Sequence, residues 1–284
     1  MNALLHRCRL RHLWLLLALA VASQHLVVFH RTQNLPAVLM LALLVWGASW
    51  ICLEDHWEDL EPLPSGPSLL AGALLLIWIL WRTALVASYD SLLYITPPLA
   101  MVGLALLLRP LRRLGQFRES LVIALLLPVW LLVVKLFPEQ PLSLFTARAS
   151  ALMLQLLGLA PQVSGRVISF AGGGGSVRVE GICNGLEVIY QALAVAIIFL
   201  VCFPLRRSQD RLAILLLAPL VGLVSNVFRI ALLGLIVAIG GSLKESSFEF
   251  WHKGSGSLVF SGLSVLLIGL IYSRFVNRQL QASP

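Results

Sequence analysis

Three residues with reactive side chains stand at the edges of apolar stretches: Cys183 in VEGICNGLEVIY, Arg229 in SNVFRIALL and His252 in FEFWHKGSG. A thiolate is a nucleophile, an imidazole with an ordinary pKa near ~6.5 moves protons around neutrality, and a guanidinium binds a negatively charged oxygen. Together these are the parts that acyl transfer needs. Cys183 is expected to open a helix, whose unpaired N–H groups favour the thiolate, and the flanking Gly181 and Gly185 are expected to let a substrate backbone come close. Asn226 lies one turn before Arg229 on the same helical face, placed to orient the guanidinium or to add a donor. Asn184 follows the nucleophile, and Glu249, three residues before His252, faces the imidazole if that stretch is helical.

Each of these residues has a plain structural reading when taken alone. A cysteine at a helix start packs, an arginine near a helix end snorkels to the interface, and a histidine beside Trp251 suits a membrane surface. Their joint placement carries the functional reading, and that placement depends on the elements around them.

Those elements are membrane helices. Of 284 residues, 59% are hydrophobic and 12% charged, with mean hydropathy +0.91, whereas a soluble domain carries roughly 25% charge. No segment between apolar runs is long enough to bury a soluble core, so residues 1–284 read as a single integral membrane domain. Apolar runs occupy 13–29, 35–53, 68–87, 91–108, 119–137, 183–203, 212–239 and 257–276, which predicts about eight transmembrane helices in an all-α polytopic protein lodged in the lipid bilayer. The first run lacks an A-x-A cleavage site and reads as a span. The net charge of +8 comes in small groups beside the runs, which excludes a nucleic-acid patch and signals topology. With both termini cytoplasmic, four groups fall inside: Arg7, Arg9 and Arg11; Arg109, Arg112, Arg113 and Arg118; Arg206, Arg207 and Arg211; Arg274 and Arg278. The exception is the Glu54–Gly66 loop, with five acids and no Lys or Arg, and acids weigh little in the rule.

Under that topology Cys183 and His252 lie at the extracytoplasmic face. Arg229, about 25 Å along its helix from Leu212, reaches the same level. An ionisable residue inside a span is a functional candidate by default. Residues 141–159, interrupted by Arg148 and Gln155, read as an interfacial or re-entrant helix. Residues 160–182 alternate around the glycines at 172–175 and read as a small extracytoplasmic β-hairpin. Those glycines are turn residues, since no Lys-Ser/Thr pair follows them.

The remaining reactive residues lack company. Cys8 lies in the N-terminal tail, Cys52 and Cys202 at the cytoplasmic ends of their spans. His6, His12, His25, His30 and His56 have no partners of the same kind. No Cys or His pair has metal-ligand spacing, and DHWED at 55–59 reads as a solvated loop. No metal and no cofactor are expected.

The blocks EGICNGLE, SNVFRI and FWHKGSGSLVF, in that order and at span ends, resemble the exosortase/archaeosortase family of polytopic membrane cysteine protease-transpeptidases over roughly residues 90–276. The resemblance implies catalytic roles for Cys183 as nucleophile with Arg229 and His252 as its partners, and a place in the cell inner membrane. It also implies partners: exported, membrane-anchored proteins with a C-terminal sorting signal, made of a short motif such as PEP, a transmembrane helix and a basic tail. Asn184 stands where the family often has Ser, and Glu187 puts an acid one turn into the helix. Both bear on which signal is read. Hydrolysis and transpeptidation stay open, as does the acceptor nucleophile. The rival from another class is a transporter or an assembly scaffold for surface protein or polysaccharide export, against which stand the absence of an internal repeat and the gathering of polar residues at one face. A rhomboid-like serine protease lacks its Gly-x-Ser-x-Gly.

Overall fold

A computed structural model of the chain describes residues 2–33, 36–54, 65–171, 175–240, 244–253 and 255–281. It divides into two compact units, Met1–Leu131 and Leu132–Pro284. The first contains α1 (Asn2–Gln33), α2 (Pro36–Glu54), α3 (Gly66–Ala84), α4 (Leu92–Leu106), a 3-10 turn at Leu111–Phe117 and α5 (Arg118–Ala124), and the division falls within α6 (Leu126–Leu136). The second contains α7 (Glu139–Leu156), strands β1 (Pro161–Ser164), β2 (Val167–Phe170) and β3 (Ser176–Arg178), and a 3-10 turn at Gly181–Cys183. It ends with α8 (Leu186–Cys202), α9 (Ser208–Ile239), α10 (Lys244–His252) and α11 (Ser255–Gln281).

Four helices are long and apolar enough to cross a membrane: His12–Gln33 of α1, α3, α9 and α11. Leu111–Ala124 and Leu126–Leu136 form a bent pair, a broken span or a re-entrant loop, which counted as one span makes a fifth. Three shorter apolar helices accompany them: Pro36–Cys52, Leu92–Leu106 and Leu186–Cys202. The eight expected spans thus resolve into four to five full-length candidates and three short helices. At α4 and α8 the apolar runs, 91–108 and 183–203, extend past the helix ends at Leu92–Leu106 and Leu186–Cys202. Cys183 does not open α8, because Gly185 sits at φ +98° and starts that helix after it. The 45° bend at Leu125 has its cause in Pro128, which cannot donate to the carbonyl of Ala124 and whose ring crowds it.

In the first unit the same chemistry explains a buried histidine. Pro97 lies inside α4 and leaves the carbonyl of Leu93 without its helical donor. His25 Nε2 donates to that carbonyl at 2.7 Å, while its Nδ1 accepts from Trp46 Nε1 at 3.0 Å. The two bonds use both ring nitrogens of a neutral imidazole, so His25 is a structural pin between α1, α2 and α4.

In the second unit the region expected to be one hairpin is a three-stranded antiparallel sheet in the order β1-β2-β3. Residues 163–169, read as one alternating strand, are divided by a turn at Gly165, whose φ of +60° reverses the chain so that Ser164 pairs with Val167. Glycines 172–174 lie outside the described residues. The buried face of the sheet, Ile168, Val177 and Val179, joins Ala147, Ala151 and Leu154 of α7 and Ile230, Leu233 and Val237 of α9 in one apolar core. Apart from Leu154, the residues of α7 that face inward are small, Ser143, Thr146, Ala147, Ser150 and Ala151, and Ser150 Oγ donates to the carbonyl of Val227 on α9 at 3.2 Å. Small residues let helices pack closely in an apolar surrounding. Gly222 does the same between α8 and α9, since a Cβ there would stand 2.6 Å from the Cα of Ile189.

Candidate active site

The close crossing at Gly222 brings Asn226, one turn further along α9, against the start of α8. Asn226 is fully buried, and its Nδ2 donates to the carbonyl of Cys183 at 3.1 Å. Its amide also fills the space beside Gly185, where a Cβ would come within 2.6 Å of Asn226 Nδ2. Gly185 therefore makes room for Asn226 and not for a substrate backbone, a correction to the sequence expectation. Asn184, just before the Gly185 N-cap of α8, accepts the Leu186 N–H at its Oδ1 at 2.8 Å, and its carbonyl accepts from Thr146 Oγ1 at 2.9 Å. The nucleophile turn is held once more at Gly181, whose N–H donates to the carboxylate of Glu139 at the start of α7. Cys183 is thus fixed from α7, α8 and α9 and is only 2% exposed.

His252 closes α10, and its Nε2 lies 2.9 Å from Cys183 Sγ. The ring of Phe248, one turn earlier, packs on the imidazole at 5.1 Å between centroids. Arg229, 3% exposed in α9, donates from Nη2 to the main-chain carbonyl of His252 at 2.6 Å. That carbonyl belongs to the last turn of α10, where a helix carries its partial negative charge, so a buried guanidinium is well matched to it.

The electrostatics depart from the expectation of a thiolate at rest. Burial in the apolar core pushes the Cys183 thiol above its ordinary pKa, and the charges of Arg229 and Lys253 pull it back only in part. Burial likewise pushes His252 below its ordinary value, with Arg229 and Lys253 adding to the effect and Glu249 opposing it. Both shifts favour the uncharged pair, a thiol beside a neutral imidazole. Glu249 is helical as expected and near enough to act on His252 through its charge, but its side chain is exposed. No hydrogen bond to the imidazole is found among the described contacts.

Sequence reasoning thus named Cys183, Arg229, His252, Asn226, Asn184 and Glu249, and the first five meet in one network. It missed Glu139, Thr146 and Lys253. Lys253 adjoins His252 in the chain and was within reach of a closer reading. The other two come from a helix more than thirty residues before the nucleophile in sequence, and nothing local marks them. Among the described residues no group of His, Cys, Asp or Glu has the arrangement of a metal site. Cys52 is buried in α2 and Cys202 closes α8, while the DHWED segment lies outside the described residues.

A sequence profile of the transmembrane exosortases matches residues 38–269, reaching further toward the N-terminus than the three motif blocks. No curated protein and no solved structure matches the chain. The profile spans most of the sequence and includes every residue of the Cys183 network, so the chain belongs to the transmembrane exosortase family.

Proposed function

We propose that the protein is a membrane cysteine protease-transpeptidase that processes exported proteins at a C-terminal sorting signal. The observation that carries this reading is the 2.9 Å approach of His252 Nε2 to Cys183 Sγ, in a turn held from three helices. A nucleophile and base within hydrogen-bond reach, with the base held by a third group, is the arrangement that activates a weak nucleophile.

In the proposed reaction the substrate's anchor helix lies in the bilayer and its motif reaches the extracytoplasmic face. Cys183 Sγ passes its proton to His252 Nε2 and attacks the scissile carbonyl carbon. The tetrahedral intermediate collapses as His252 returns the proton to the leaving amine, and a thioester remains on Cys183. An amine, a glycan-linked acceptor or water, deprotonated in turn by His252, then releases the product. Arg229 holds His252 in place through its carbonyl, and its charge lowers the cost of the thiolate as it forms. The basic clusters at 109–118 and 206–211 support cytoplasmic termini, and a reporter inserted at Gly173 is expected to read extracytoplasmic.

The test is to trap the thioester. Wild-type protein incubated with a tagged sorting-signal substrate is expected to give a hydroxylamine-sensitive adduct on Cys183, and Cys183→Ala none. Cys8, Cys52 and Cys202 variants are expected to form it normally. An adduct absent from wild type would favour a transporter or scaffold.

A further inference from the structure

The strand that leads to the nucleophile has an edge on which no other strand lies among the described residues. Val179 N–H donates to the Arg166 carbonyl and Phe170 N–H to the Gly175 carbonyl. In an antiparallel ladder the bonded pairs alternate, so with the register of Ile168 opposite Val177, residues 175, 177 and 179 turn their main-chain groups toward β2. The N–H and carbonyl groups of Ser176 and Arg178 point the other way. Both residues are exposed, and the Arg178 side chain is 68% exposed. The chain stays extended through Glu180, and Cys183 N–H donates to the Glu180 carbonyl at 3.0 Å. The nucleophile therefore lies one turn beyond the end of this edge.

We propose that the outer edge of β3 docks an extended segment of the substrate polypeptide as a fourth strand and delivers it to Cys183. The inference rests on the proposed chemistry only for the identity of the substrate. The occupant is a polypeptide because donors and acceptors at alternate residues match the spacing of another extended chain. Continuity with the nucleophile turn decides where along the edge the scissile bond falls.

The experiment is a backbone N-methyl scan. Full-length Cys183→Ala protein in detergent is titrated with a fluorescein-labelled synthetic peptide spanning the short motif and flanks of a C-terminal sorting signal, methylated at one backbone nitrogen at a time. Strand docking is expected to weaken binding roughly two- to tenfold at alternate positions and to leave the intervening ones unchanged. On the protein side, Arg178→Pro removes one outward N–H while the bonds to β2, made by residues 177 and 179, persist, and it is expected to weaken the unmethylated peptide similarly. Val163→Pro, at an outward position of β1, is expected to bind as the parent does. No binding, a scan without alternation, or full affinity in a folded Arg178→Pro protein would overturn the proposal. Alternating binding together with no thioester in wild type would leave the docking edge standing and refute the chemistry alone.

Discussion

Replacing Arg229 by Lys keeps the charge and removes the planar fork, which separates two roles for this residue. The structure engages Nη2 with the His252 carbonyl at 2.6 Å in a buried setting. A hydrogen bond to a charged group contributes about 1.5–3 kcal/mol, and a lysine ammonium, compact and strongly hydrated, does not reproduce its geometry. If the role is to hold His252, that loss corresponds to a fall of roughly 10- to 100-fold in any reaction that depends on the Cys183–His252 pair. The assay compares two reactions of Cys183 in full-length protein: single-turnover thioester formation with a sorting-signal substrate, and alkylation by iodoacetamide, which forms no oxyanion. Anchoring through His252 lowers both rates by a similar factor, with unchanged protein in the membrane. A drop of about 10²–10³ in thioester formation, the cost of losing an oxyanion donor, with alkylation untouched, would refute the anchoring argument and return Arg229 to the oxyanion role assigned from sequence. Rates equal to wild type in both reactions would leave the arginine a helix anchor only.

Two further outcomes follow from the same site. His252 must be neutral to accept the thiol proton, and its pKa is lowered from 6.5 mainly by burial, so the base form persists as pH falls through that value. The acid limb of kcat/KM is expected below pH 6.5, and Lys253→Glu should move it upward; a wild-type limb above 6.5 would contradict the burial argument. Glu139 accepts the Gly181 N–H. Glu139→Gln, which keeps a carbonyl oxygen, is expected to form thioester at near wild-type rate, while Glu139→Ala loses about tenfold, the worth of one such bond; equal rates in both variants would remove Glu139 from the site.

Membrane helices were legible from sequence because a helix satisfies its own backbone bonds, so an apolar run carries its structure within itself. The reactive residues were legible for a related reason. Arg229 in an otherwise uncharged run, and Cys183 and His252 at the borders of runs, have chemistry that the surrounding pattern does not need. The helix ends were less legible, because hydropathy continues across Gly185 while the backbone does not, and the turn at Gly165 was concealed within an alternation that reads as one strand. What only the tertiary structure decided is who touches whom. Cys183 and His252 are 69 residues apart, and their meeting depends on which helices pack, through close contacts such as Gly222 on Ile189 that look like any other small residue in an apolar run. The charge state of the pair was decided there too. A helix start favours a thiolate, but the apolar core formed by the sheet, α7 and α9 around Cys183 penalises the charge more strongly, and desolvation depends on neighbours that the chain brings together only when it folds.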